Sequence, residues 1–188
     1  MAMSLIAEPL VTTFVRSFLI LLFAGAAISK LRRTEEFFGV VRNFRIMPER
    51  LARPVAAALP FVELATAAGL AVPAVAPYAA GTASGLLIVF GLAIGANVVR
   101  GRTAIDCGCF RNGLKQPLSW WLVGRNAGLA LAAAGLAVAL PLARPAAPIE
   151  IAVGVVAAAL AMLLYFSASM LGGLSAGARR SPSLTSKG

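Results

Sequence analysis

Five runs of apolar residues, each about 20 long, decide what this chain can become. They lie near Pro9–Leu31, Leu51–Val72, Tyr78–Val99, Ser119–Leu140 and Pro148–Leu171. At 1.5 Å per residue, a helix of that length crosses a hydrocarbon core of about 30 Å. The core holds no water to satisfy peptide groups, so spans must be helices or closed barrels, and these runs are too long and too uniformly apolar for barrel strands. The expected fold is all-α, a polytopic membrane helical bundle with about five transmembrane helices in a single domain, residues 1–171. Residues 172–188 combine Gly, Ser, Ala, Pro and basic side chains without an apolar period and read as a disordered tail. Composition agrees: 60% of the chain is apolar and His is absent, and a mean hydropathy of +0.87 is too high for a soluble globule.

The first run has small residues over Ala24–Ser29, as a signal peptide does, but no basic region precedes it and Arg16 interrupts it. It reads as an uncleaved helix. The net charge of +10 does not point to nucleic acid, because the basic residues are spread between apolar spans rather than over a soluble face. Lys30, Arg32, Arg33, Arg42, Arg45, Arg50 and Arg53 fall between the first two spans. Arg100, Arg102, Arg111 and Lys115 fall between the third and fourth, and Arg179, Arg180 and Lys187 in the tail. Opposite them stands Arg144. The positive-inside rule then predicts a multi-pass protein of the bacterial inner membrane with its N-terminus outside and its C-terminus cytoplasmic.

Between the first two spans, TEEFFGVVRNFRI (34–46) predicts an interfacial helix. Thr34 caps it, Glu35 and Glu36 suit its positive end, and Phe37, Phe38, Val41 and Phe44 share a face, before Pro48 ends the run. Small residues four apart, Gly81 with Gly85, Gly91 with Gly95 and Gly124 with Gly128, are expected where helices pack closely.

Charges within spans are costly and mark function or a buried partner. Arg16, Glu63 and Arg125 qualify. Arg16 lies about 10 Å, and Glu63 about 13 Å, from the same end of two antiparallel helices, so depth alone predicts that they pair. Arg125, followed by Asn126, starts the second turn of the fourth span; Trp120 and Trp121 before it read as an interfacial anchor.

Both cysteines, Cys107 and Cys109, sit one residue apart in TAIDCGCFRNG (103–113), between the third and fourth spans. Without His or a third Cys, the pair cannot complete a tetrahedral metal site unless a partner supplies ligands. Two inert thiols are the plain alternative. A redox dithiol fits better, because Gly108 gives the freedom to close so small a ring and the strain makes its disulfide oxidising. Arg100, Arg102, Arg111 and Arg125 favour a thiolate, whereas Asp106 opposes it and is a candidate for proton transfer.

DCGCF (106–110) between the third and fourth of five spans, followed by LSWWLVGRNAGLA (118–130), resembles the methylamine utilisation protein MauE family, related to DoxX-like membrane proteins. FAGAAISKL (23–31) and FRIMPERLARPVAAALPFVELATAAGL (44–70) are similar to the same family. The resemblance implies a membrane component of thiol–disulfide chemistry, working beside a thioredoxin-like partner in maturation of methylamine dehydrogenase. By residue, it implies Cys107 and Cys109 as the exchanging pair and Arg125 as the motif's arginine. The reading is thus a thiol–disulfide oxidoreductase or its accessory subunit, supporting disulfide formation or electron relay. Two alternatives stand beside it: a non-catalytic subunit of a larger membrane complex, and a lipid- or quinone-binding module using Arg16, Glu63, Arg125 and Asn126. A quinone is accordingly the one candidate cofactor, and the bilayer the first partner.

Overall fold

The computed structural model describes residues 7–103 and 118–178, with side chains through residue 168. The expected spans all form as helices, and among the described residues there is no strand. In chain order they are α1 (Pro9–Arg32), α2 (Thr34–Phe44), α3 (Glu49–Ala71), α4 (Ala76–Val99), α5 (Trp120–Ala139) and α6 (Pro148–Ala178), with a 3₁₀ turn at Leu140–Leu142. All but the short α2 are long and apolar enough to cross a membrane. The last helix continues past Leu171, where the sequence predicts a tail. No proline interrupts the ladder there before Pro182, and Gly, Ser and Ala are tolerated once a helix is already running.

Helices α1, α3, α4 and α5 surround one core, with α4 along α5 and α1 along α3, and α6 lies outside against α1. Leu19, Phe23, Leu70, Ala80, Ala83, Ala133 and Leu136 fill the centre. The alanines among them let backbones approach closely, which helps hold helices together where lipid supplies no hydrophobic drive. Close approach is sharpest at Gly154, where a Cβ would stand 2.9 Å from Thr13 Cγ2 and 3.2 Å from the Phe14 backbone nitrogen. Gly91 and Gly95 face Asn126 and Val123 of α5, as their spacing predicts. Gly81, Gly85, Gly124 and Gly128 meet nothing within 4 Å, so those two pairs do not form a helix contact.

The short helix α2 buries Phe37 and Val40, and it ends at Phe44 because Arg45 turns into the left-handed region at φ 47°. That conformation costs a non-glycine residue about 1–2 kcal/mol. Partners at the end of α4 hold the turn: the Arg100 guanidinium donates to the Arg45 carbonyl at 3.4 Å, and that of Arg102 to the Phe44 carbonyl at 3.4 Å. On the solvent side of α2, Arg42 and Arg53 lie over the Phe38 ring at 5.6 and 5.3 Å, and Arg53 also meets Glu35 at 3.1 Å.

At the opposite end, Arg144 forks onto Glu150 at 2.6 and 3.1 Å, and this hydrogen bonding raises its pKa above the ordinary arginine value. Glu150 also accepts from the Ala147 amide at 2.7 Å, satisfying an orphan donor at the start of α6.

Candidate functional site

Among the described residues, two charged side chains lie almost wholly out of contact with solvent in the core, Lys30 at 4% exposure and Glu63 at 1%. Lys30 Nζ donates to Glu63 Oε1 at 2.6 Å and to Oε2 at 2.8 Å, tying α1 to α3. Depth alone predicts Arg16 as the partner of Glu63, and the structure corrects this. Side chains lean toward the N-terminus of their own helix. The two helices are also staggered: Arg16 lies beside Leu70 and Ala71 at the end of α3, so Glu63, seven positions earlier, sits about 10 Å deeper. Across the remaining depth Lys30 and Glu63 lean toward each other, whereas Arg16 and Glu63 lean apart. Arg16 instead donates its Nε to the Leu70 carbonyl and its Nη2 to that of Ala71 at 2.8 Å. It thereby satisfies two of the carbonyls left over where α3 ends.

Lys30 looks like one more topology cation in the sequence. Its helical phase identifies it: Leu19, Phe23, Ala26 and Lys30 follow one another at steps of four, three and four, and all are buried. A lysine in register with the core stripe, and an acid on the neighbouring span, are the signal that depth and charge counts miss.

Around the pair, α5 and α6 contribute further polar groups. Lys30, Glu63, Arg125, Asn126 and Tyr165 line one small cavity of ≈ 30 Å³, closed on its other sides by Leu22, Phe23, Leu87 and Phe90. That volume admits a water molecule. Asn126 donates to the Leu122 carbonyl at 2.8 Å within its own helix, and the Arg125 guanidinium carbon lies 5.1 Å from the Tyr165 ring centroid. Among the described residues that line it, two basic side chains, Lys30 and Arg125, accompany one carboxylate, Glu63. The sequence candidates Glu63, Arg125 and Asn126 thus come together, while Arg16 lies elsewhere, at the end of α3.

Cys107, Cys109 and Asp106 lie outside the described residues, but both ends of their connector are fixed. The Leu118 amide donates to the Thr103 carbonyl at 3.1 Å, closing the neck of residues 104–117. Leu118 is buried with Ile94 and Leu122, and Phe44, Val98 and Val123 pack around them. One residue before the neck, Arg102 reaches the Phe44 carbonyl and Asn97 Oδ1 at 3.5 Å, while the fully buried Asn97 donates to Ala93 at 3.0 Å. Thr103 and Leu118 lie at the end of the bundle where α1 finishes just after Lys30 and where Asn126 lies about 9 Å inside α5.

A second and larger space opens beside the pair. It is a groove of ≈ 440 Å³ between α2, α3 and α4, lined by apolar side chains including Phe37, Phe44, Val55, Phe90 and Ile94, with Lys30 at its margin. The Phe37 and Phe90 rings lie 5.3 and 5.7 Å from Lys30 Nζ. Among the described residues, no group of three His, Cys, Asp or Glu side chains is placed to hold a metal ion.

A helical bundle with five membrane-spanning segments, a buried Lys–Glu pair and a neck-closed cysteine connector defines a multi-pass membrane protein with a polar site inside its spans. Comparison with known proteins sharpens that class. Residues 8–139 match the family model described as Methylamine utilisation protein MauE. A Methylamine utilization protein MauE of Methylorubrum extorquens is 67% identical over 181 residues, covering 96% of this chain and 97% of its own length. Proteins of the same name from Paracoccus denitrificans and Methylophilus methylotrophus are 57% and 40% identical, covering 90% and 92% of this chain and 91% and 92% of their own. This chain belongs to the MauE family. No solved structure matches it.

Proposed function

We propose that this protein is a membrane thiol–disulfide redox component of methylamine utilisation, in which Cys107 and Cys109 exchange disulfides with a thioredoxin-like partner. The observation that carries the reading is the pairing of the chain's two thiols in one connector whose neck, Thr103–Leu118, is hydrogen-bonded shut at the cationic end of the bundle. A thiolate attacks a disulfide sulfur, and the second thiol resolves the mixed disulfide. Arg100, Arg102 and Arg125 contribute the positive potential that favours the thiolate, and Asp106 is the candidate for moving the proton. The names of the relatives supply the process, methylamine utilisation.

The excess of basic residues on the connectors after the first and third spans supports an inner-membrane topology with the N-terminus outside. The test is replacement of Cys107 or Cys109 by Ser in a host growing on methylamine. Either change is expected to abolish maturation of methylamine dehydrogenase while the protein still inserts and accumulates. Normal maturation with the double Cys→Ser protein would refute the redox reading and leave a scaffold.

A further inference from the structure

A dithiol that makes disulfides repeatedly must pass its electrons on, and the apolar groove beside Lys30 has the chemistry of a receiver. Its walls offer almost no polar atoms, yet a buried ammonium stands at its margin. An ammonium has three N–H donors, and the two Glu63 contacts use at most two. The Phe37 and Phe90 rings, over which the same ammonium lies, also line the groove and offer it aromatic walls. At the other side, Phe44 and Ile94 line the groove and also pack against Leu118, the residue that closes the cysteine connector.

A phospholipid fits this arrangement poorly. Its phosphate, drawn to Lys30, would meet the Glu63 carboxylate that already holds that ammonium. A neutral molecule with a flat ring, one hydrogen-bond acceptor at its edge and a long hydrocarbon tail meets each feature. We infer that the groove between α2, α3 and α4 binds an isoprenoid quinone, its ring between Phe37 and Phe90 with one carbonyl oxygen on Lys30, as electron acceptor for the Cys107–Cys109 pair.

This rests on the redox reading of the cysteines. The two thiols lose two electrons and two protons as the S–S bond forms. The quinone takes up both electrons and both protons as its two carbonyls become the hydroxyls of the quinol. The Lys30 ammonium stabilises the negative charge that builds on the carbonyl oxygen it faces. Glu63 fixes the ammonium in place and acts as a positioning residue.

The full-length protein in nanodiscs, irradiated with an azido-ubiquinone and mapped by mass spectrometry, tests the site. Adducts are expected within residues 37–47 and 89–96, falling at least about tenfold with excess decylubiquinone. Ala93→Phe, which fills the groove, should lower them comparably, and Val55→Trp on the opposite wall provides an independent second block if Ala93→Phe misfolds. The double Cys→Ser protein should label like the wild type, whereas only the reduced wild type should convert decylubiquinone to its quinol. Adducts scattered over the lipid-facing helices and indifferent to competitor would overturn the site. A phospholipid retained in native mass spectra and not displaced by decylubiquinone would overturn it in favour of an acyl chain. Competed labelling in the groove without quinol formation would overturn electron transfer, locating the failure in the thiol reading and not in the groove.

Discussion

At the scale of single residues, the stagger of two helices and the direction in which side chains lean together decide the partnerships inside the bundle. Arg16 misses Glu63 because α3 ends beside it, and Lys30 and Glu63 converge because each inclines toward the start of its own helix. A buried ion pair is weak evidence for stability, yet breaking one is costly because the survivor is left uncompensated. Lys30→Met alone is therefore expected to destabilise the protein by about 3–5 kcal/mol, whereas Lys30→Met with Glu63→Met should recover most of that loss. Thermal unfolding of the detergent-solubilised proteins measures both; equal losses in single and double variants would contradict the pairing. The charges at Arg16, Glu63 and Arg125 were legible in the sequence as polar exceptions within apolar spans. The true partner of Glu63 was not, because Lys30 falls near the end of its helix among cations that a charge count assigns to the surface.

At the scale of elements, composition carries nearly everything about the spans and little about their contacts. A run of about 20 apolar residues has one stable form in lipid, so the helices follow from the sequence. Which glycines face a neighbour depends on how the helices turn about their axes. Of three Gly pairs at the same spacing, Gly91 with Gly95 meets another helix, and the tightest approach belongs to Gly154. Gly154→Leu must push α6 off Thr13 and Phe14 of α1, with an expected loss of about 1–3 kcal/mol. The same change at Gly128, which meets nothing within 4 Å, should be near neutral in the same unfolding assay. The short helix α2 offers a second test. Its last carbonyls are held by Arg100 and Arg102, so Arg102→Gln should loosen it by roughly 1 kcal/mol. Hydrogen exchange over residues 40–45 should then quicken by up to about tenfold, while exchange in α6 stays unchanged.

At the scale of the whole molecule, one end of the bundle gathers the chemistry. There the α2 terminus, the neck of the cysteine connector, the Lys30–Glu63 pair and the apolar groove share walls through Phe44, Ile94 and Leu118. The far end, by contrast, is closed by Arg16 on the last carbonyls of α3 and by Arg144 on Glu150. The family was legible from the cysteine motif and the LSWWLVGRN run, whereas the groove was not, since it is made by three helices distant in sequence and no motif records it. The central claim is that Cys107 and Cys109 form a reducible pair. Its most direct measurement is mass analysis of the protein from intact cells, alkylated with a membrane-permeant maleimide before and after mild reduction. The account predicts a substantial population that takes up no label until reduction and then takes up two. Two labels on every molecule before reduction would contradict it.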